Sequence, residues 1–195
     1  MGGISIVCVV AVVSLNAEDL VERKKVERLI SVFNSTFYAS DNTLLVLGAD
    51  EPIYLPADKD HDHHRVVFAH GFFSSALHEL SHWLVAGKGR RHLEDYGYWY
   101  KPDGRSAAEQ QEFEKVEVKP QAIEWILSVA AGHGFNFSAD NLTGEAGVSV
   151  AFKQRVLQQA VSYLNDQRPA NLSKLLAHLS KSFNRPYPES KYFVL

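Results

Sequence analysis

The chain has 195 residues, of which 20 are Lys or Arg and 23 are Asp or Glu. This length corresponds to one domain, and the net charge of −3 disfavours a non-specific nucleic-acid binder. A single cysteine, Cys8, excludes an internal disulfide framework and any zinc module built on cysteines. Nine histidines stand against one Cys and one Met, so a metal site in this chain must use nitrogen and oxygen ligands.

The first segment, residues 1–16, is an apolar N-terminal extension that is almost continuously hydrophobic at 4–13. This run is too short to cross a bilayer, which takes about 20 residues. Its length is typical of a signal-peptide core, and its Val and Ile content is typical of a buried strand. A misjudged start codon would make it an upstream extension. Residues 17–195 are expected to form a single metal-dependent domain.

Hydrophobic spacing predicts the secondary structure of that domain in chain order. A helix is expected from residue 17 to an end at Asp41-Asn42, followed by short strands at 43–47, 53–55 and 65–69. Further helices are expected at 74–86, 106–113, 119–131, 152–165 and 172–183, with Pro120 in the first turn of the third. We therefore predict an α+β fold in which a small mixed or antiparallel sheet packs against several helices.

The helix predicted at 74–86 carries the pattern His-Glu-x-x-His at His78, Glu79 and His82. Residues i and i+4 share one face of a helix, so both imidazoles can bind one divalent metal, and Glu79 lies where a carboxylate can act on bound water. Nine His and 13 Glu give about 0.03 such patterns by chance in a chain of this length. The pattern predicts a metal site on a central helix with a buried apolar side. That side consists of Leu77, Leu80 and Leu84.

A catalytic metal needs a third protein ligand, and seven acidic residues downstream of the motif offer a carboxylate. They are Glu94, Asp95, Glu109, Glu112, Glu114, Glu117 and Glu124. Glu117 and Glu124 stand out because, seven residues apart with Gln121 between them, they can share one helical face. Glu117 is expected just before its helix, where a turn fixes its position, and Glu124 is expected in the middle of the helix. Spacing leaves both open as the third ligand.

Other polar and aromatic segments near the motif carry weaker signals. The stretch at 60–64 is dense in Asp and His without regular spacing, so we expect a solvated loop. His70, at a predicted strand end, is expected to be an outer partner of the metal site or a satisfied core histidine. The basic stretch at 88–91 could receive an acidic protein surface or nucleic acid, or could simply stabilise a helix C-terminus. The aromatic run at 96–100 has the alternation of a half-buried strand.

Several segments, in order along the chain, resemble the elongation factor P hydroxylase family. They read DEPIYLPA at 50–57, FAHG at 68–71, HELSHW at 78–83, AGK at 86–88, YGYWY at 96–100, PDGR at 102–105, VEVKPQA at 116–122 and DNL at 140–142. The region of resemblance covers about half of the chain, and together the segments are far more specific than the metal motif alone.

The resemblance implies an oxygen-dependent, non-haem iron enzyme that hydroxylates a lysine of elongation factor P, usually one that already carries a β-lysyl group. The family's two histidines and one glutamate correspond to His78, His82 and Glu117. These would hold Fe(II), with zinc as a substitute metal and molecular oxygen as co-substrate. Glu79 would be the catalytic carboxylate that orients a ligand or water or relays protons. The implied partner is elongation factor P in the cytoplasm, with no direct nucleic-acid partner and no membrane.

The His-Glu-x-x-His pattern by itself also suits two other functions. A zinc metallopeptidase would use Glu79 as the general base for peptide hydrolysis. A non-enzymatic module would hold a structural metal with a fourth protein ligand, for which His70 is the candidate. The segments that resemble the family favour the hydroxylase over both of these.

Overall fold

The computed structural model describes residues 16–97, 105–138, 148–166 and 168–195. The helices and strands in these ranges are α1 (Ala17–Asp41), β1 (Thr43–Leu47), β2 (Ile53–Leu55), β3 (His64–Phe68), α2 (Phe73–Arg90), α3 (Ala107–Ala131), α4 (Val150–Asn165) and α5 (Ala170–Ser182). The apolar run at 4–13, residues 98–100 of the aromatic run and the segment at 140–142 lie outside the described residues. None of the described helices is long and apolar enough to cross a membrane.

The three strands form a mixed sheet in the order β1-β3-β2. β1 runs parallel to β3 and β2 runs antiparallel to it. The bounds of β1 and β2 are those predicted from the sequence, and β3 begins one residue earlier than predicted. A small mixed sheet together with five helices confirms the predicted α+β class.

Each outer strand of this sheet makes a hydrogen bond to a side chain on its free edge. On β1, the N–H of Leu45 donates to Oδ1 of Asn34, which belongs to α1, at 2.8 Å. On β2, the N–H of Tyr54 donates to Oδ1 of Asp95 at 3.3 Å. Backbone donors that the ladder leaves unpaired are thereby satisfied.

The motif helix α2 lies at the centre of the fold, in contact with α1, α3 and β3. Its predicted apolar side is buried, since Leu77, Leu80 and Leu84 are at most 4% exposed. Trp83 packs against two phenylalanines of α1, with its ring centroid 4.8 Å from that of Phe37. Full burial of a leucine side chain contributes about 1.5–3 kcal/mol, so these contacts fix the rotation of α2 about its axis. The motif histidines consequently lie on the side of α2 that faces α3.

The prediction of two separate helices at 106–113 and 119–131 was wrong. The structure has one continuous helix, α3, with Pro120 in its interior. Ser106 and Glu109 begin the helix with a reciprocal capping box, and packing against α2 and α4 carries it through the proline. An internal proline removes one backbone hydrogen bond, a cost that the buried contacts of α3 outweigh. Glu117 is therefore a residue within a helix and does not lie in a turn before one.

The end of α2 also differs from the prediction, which placed it at Ala86, with Gly87 near the end. Gly87 has φ 67° and ψ 169°, values outside the helical region, but the helical turns resume after it and end at Arg90. Glycine adopts positive φ without the steric cost that a Cβ would bring. Arg91, which directly follows the last turn of α2, is buried.

Candidate metal centre

Two packed helices supply the polar residues of the site. His78 and His82 lie one turn apart on α2, because residues i and i+4 share a helical face. Glu117, Gln121 and Glu124 have the spacing i, i+4 and i+7 on α3, which packs against α2. Glu117 lies against His82 and Glu124 against His78, so the two polar faces meet in register.

Three of these side chains converge on one point. His78, His82 and Glu117 each offer a ligand atom within 4.8 Å of the other two. Nε2 of His82 lies 3.1 Å from Nε2 of His78 and 3.2 Å from Oε1 of Glu117. Ligand atoms about 2.1 Å from a shared metal are about 3.0–3.4 Å apart at ordinary bond angles, so these separations fit a bound ion. In the described part of the chain, no other three His, Cys, Asp or Glu side chains are grouped in this way.

The hydrogen-bonding state of the three side chains also fits a metal. Glu117 is 1% exposed, and its Oε1 is buried without a hydrogen-bond partner in the described chain. A buried, unpaired carboxylate oxygen is costly unless a cation accompanies it. Nδ1–H of His78 donates to Oε2 of Glu124 at 2.9 Å, so the nitrogen left to bind a metal through its lone pair, once deprotonated, is Nε2. An unpaired oxygen beside an imidazole lone pair is a donor set that divalent metals accept.

The sequence left Glu117 and Glu124 both open as the third ligand, and the structure separates their positions. Glu117 is in the converging group, whereas Glu124 contacts the far nitrogen of His78. A carboxylate on the far nitrogen of a metal-binding histidine fixes the ring orientation and the tautomer. Glu124 is therefore placed to orient His78 and not to join the group itself.

The pKa values show how strongly these groups interact. Burial acts to lower the pKa of His78, but the hydrogen bond and charge of Glu124, together with Glu117 and Glu79, hold it well above its usual value. Burial acts to raise the pKa of Glu117, but His82 and His78 hold it below its usual value. Burial raises the pKa of Glu79, and the opposite effect of His78 and His82 cancels this rise only in part. The carboxylates thus favour a cation at the histidines, either a proton or a metal.

Comparison with known proteins gives the family. Residues 32–193, which are most of the chain, match the family model described as elongation factor P hydroxylase. The chain belongs to the elongation factor P hydroxylase family. A protein of Haemophilus influenzae named elongation factor P lysine hydroxylase is 55% identical over 151 residues, which cover 77% of this chain and 85% of that protein. The resemblance stated from the sequence is confirmed, and the metallopeptidase alternative is not favoured.

His70 was expected to be an outer partner of the metal site or a core histidine, and neither expectation is correct for this member of the elongation factor P hydroxylase family. The residue is exposed, and its φ of 57° together with the φ of 72° at Gly71 forms the turn between β3 and α2. The described metal-ligating group does not include it. Because His70 is exposed and lies outside the converging group, it is neither a core histidine nor one of the grouped ligands.

The basic stretch at 88–91 is not a continuous surface patch. Arg91 is 6% exposed, donates to Oδ1 of Asp41 at 2.8 Å and lies 3.7 Å above the ring of Trp83. Lys88 remains exposed.

The start of the aromatic run also differs from the predicted strand, since Glu94–Gly97 forms a 3₁₀ turn. The polar loop at 60–64 is solvated over its first three residues, as expected, and its last residue begins β3.

Gln121 is the residue of the site to which the sequence assigned no role. It is 1% exposed and contacts both Glu117 and the backbone of Ser138. Its position one turn after Glu117, on the face shared with Glu124, was the available signal. A carboxamide is costly to bury unless it is hydrogen-bonded, so a glutamine on a buried face indicates specific partners.

Proposed function

We propose that this protein is a metal- and oxygen-dependent hydroxylase of a lysine on elongation factor P, and that this lysine already carries a β-lysyl group. The proposal rests on the convergence of His78, His82 and Glu117 in a member of the elongation factor P hydroxylase family. The name of the Haemophilus influenzae relative supports a lysine of elongation factor P as the substrate. Because that partner is a translation factor, the reaction is assigned to the cytoplasm.

His78, His82 and Glu117 would hold Fe(II), because two imidazoles and one carboxylate are the ligand set of non-haem iron oxygenases. Bound iron would supply the oxygen activation that hydroxylation of a C–H bond requires. In that reaction one oxygen atom enters the C–H bond, and the other leaves as water with two electrons and two protons from a reductant. Zinc accepts the same nitrogen and oxygen donors and would occupy the site as a substitute.

The protein's own groups have separate tasks in this proposal. Glu124 keeps the proton of His78 on Nδ1, so that Nε2 offers its lone pair. Glu79 is the catalytic carboxylate, which orients a ligand or water beside the histidines or relays a proton. Burial raises the pKa of Glu79, because its charged form loses contact with water.

The test combines the anaerobically purified protein, ferrous iron, air, a reductant and elongation factor P carrying the β-lysyl group. Mass spectrometry of elongation factor P is expected to show a gain equal to one oxygen atom. His82→Ala should abolish this gain, because it removes one of the three converging ligands. His61→Ala, in the solvated loop, is the matched histidine control and should retain the gain.

Two results would overturn the proposal. One is an unchanged mass of elongation factor P when iron is bound and oxygen is present. The other is zinc-restored peptide cleavage that Glu79→Gln abolishes, which is the expected behaviour of a metallopeptidase. Elemental analysis of the purified protein accompanies both measurements, because it identifies the bound metal independently of activity.

A further inference from the structure

The carboxamide of Gln121 joins Glu117 to a segment beyond the end of α3. Its Nε2–H donates to the carbonyl of Ser138 at 2.7 Å, and its Oε1 accepts from the N–H of Ser138 at 3.2 Å. If the amide were flipped, its oxygen would face the carbonyl of Ser138 and its NH₂ would face the N–H of Ser138. The two hydrogen bonds therefore fix which end of the side chain carries the nitrogen. The same nitrogen lies 3.5 Å from Oε2 of Glu117.

The two oxygens of Glu117 consequently have different surroundings. Oε2 faces the nitrogen of Gln121, whereas Oε1 is buried and faces Nε2 of His82 at 3.2 Å. A carboxylate that gives one oxygen to a metal leaves more coordination positions open than one that gives both. Open positions are what distinguishes a catalytic site from a closed structural one.

The other end of this connection is held firmly. Phe135 and Phe137, which precede Ser138, pack on Trp125 with ring centroids 5.2 and 5.3 Å apart. Trp125 belongs to α3, so the segment is tied to the helix that carries Glu117. A ligand holds its geometry when its own partner is locked by packing.

We propose that Gln121 is a positioning residue of the metal centre, which engages Oε2 of Glu117 and leaves Oε1 as the oxygen available to the metal. This inference rests on the proposed function for the identity of the site. Gln121 orients Glu117 through the bonds to Ser138, and its described hydrogen bonds run to Glu117 and Ser138. Its removal should therefore change how the metal is held more than it changes how elongation factor P binds.

Two variants test the role of the carboxamide. Gln121→Met keeps the approximate volume and removes every hydrogen bond, and Gln121→Asn keeps an amide that is one methylene too short. Both should weaken binding of Co²⁺ and Zn²⁺ by about 10- to 100-fold, the usual effect of losing a partner of a metal ligand. The visible absorption of the Co²⁺ protein should lose intensity, because a freed Glu117 can offer both oxygens and a higher ligand number weakens these bands.

Gln111→Met is the matched control, since Gln111 is exposed on the same helix. It should leave the metal affinity and the Co²⁺ spectrum at wild-type values. In the hydroxylation assay, Gln121→Met and Gln121→Asn should lower kcat with less than a twofold change in KM for elongation factor P. Thermal melting of each variant separates a local effect from unfolding, and Gln121→Asn, which keeps a polar group at this position, serves if the methionine variant does not fold.

Wild-type metal affinity, Co²⁺ spectrum and kcat in a folded Gln121→Met or Gln121→Asn protein would overturn the inference. Equal losses in the Gln111→Met control would do the same. The metal measurements need no elongation factor P, so they separate this inference from the proposed function. If the wild-type protein fails to hydroxylate elongation factor P while Gln121→Met still alters the Co²⁺ site, the proposed function fails and the positioning role stands.

Discussion

Glu124→Gln is the sharpest test of how the candidate metal centre is organised. The substitution keeps the side-chain shape and an oxygen that can accept from Nδ1–H of His78, but it removes the negative charge. The Glu124 side chain is 13% exposed, so water screens this charge only weakly. A hydrogen bond to a charged group contributes about 1.5–3 kcal/mol against about 1 kcal/mol for a neutral one. The difference of about 0.5–2 kcal/mol corresponds to metal binding weakened by about 2- to 30-fold.

The assay is a competition titration of Co²⁺ or Zn²⁺ between the protein and a coloured chelator. Glu112→Gln is the control, because Glu112 lies on the same helix, loses the same charge and has a side chain that is 72% exposed. It should change the metal affinity by less than twofold. Equal losses of metal affinity in the two variants would show that only the overall charge matters. An unchanged metal affinity in Glu124→Gln would refute the orienting role of Glu124.

The pH dependence adds an independent check of the Glu124 prediction. The hydrogen bond and charge of Glu124 raise the pKa of His78 against the lowering effect of burial. Protons therefore compete with the metal more strongly in the wild-type protein than in Glu124→Gln. The affinity gap between the two proteins should be widest above the raised pKa of His78 and should narrow as the pH falls through it.

Three further substitutions test the scaffold. Asp41→Asn should lower the free energy of unfolding by about 2–3 kcal/mol at neutral pH, because Arg91 loses a buried charged partner. Burial acts to raise the pKa of Asp41, but hydrogen bonds from neighbours, Arg91 among them, hold it below 3.8. The charged Asp41 therefore stabilises the folded protein fully above that pH, and this stabilisation is lost as the pH falls through the pKa of the folded state. Denaturant titrations of the wild-type and variant proteins should accordingly converge in acid. Ser106→Ala removes the capping box of α3 and should cost about 1 kcal/mol by thermal unfolding, and a change below the error of the method would contradict that assignment. Leu80→Ala empties a fully buried position of α2 and should cost about 2–5 kcal/mol in the same experiment, whereas a near-neutral result would mean that this face does not fix the helix.

The parts of the fold that sequence predicted well are those determined by local spacing. His78 and His82 share a face because of helical geometry alone, and the short strands are bounded by prolines and polar residues. The bounds of β1 and β2 needed no knowledge of the remaining chain. The burial of the apolar side of α2 followed from the same periodicity.

The remaining features depend on contacts between distant segments. Pro120 suggested a helix start, and only the packing of α3 against α2 and α4 explains why the helix continues through it. Glu117 and Glu124 differ in position because they face different histidine nitrogens, and residue spacing does not specify which nitrogen each one faces. Arg91 reads as a surface charge until Asp41, 50 residues earlier, is placed beside it.

The side chains that lie along the two free edges of the sheet bear on how this protein behaves at high concentration. An edge strand with free backbone donors is a template on which another chain can add a strand and begin aggregation. Asn34 and Asp95 each occupy one such donor, and an incoming strand would have to displace them. On β1 the protecting side chain comes from α1, the helix that also packs against this strand. Loss of the Asn34 side chain would leave the N–H of Leu45 without this acceptor, and the donor would then be open to an incoming strand.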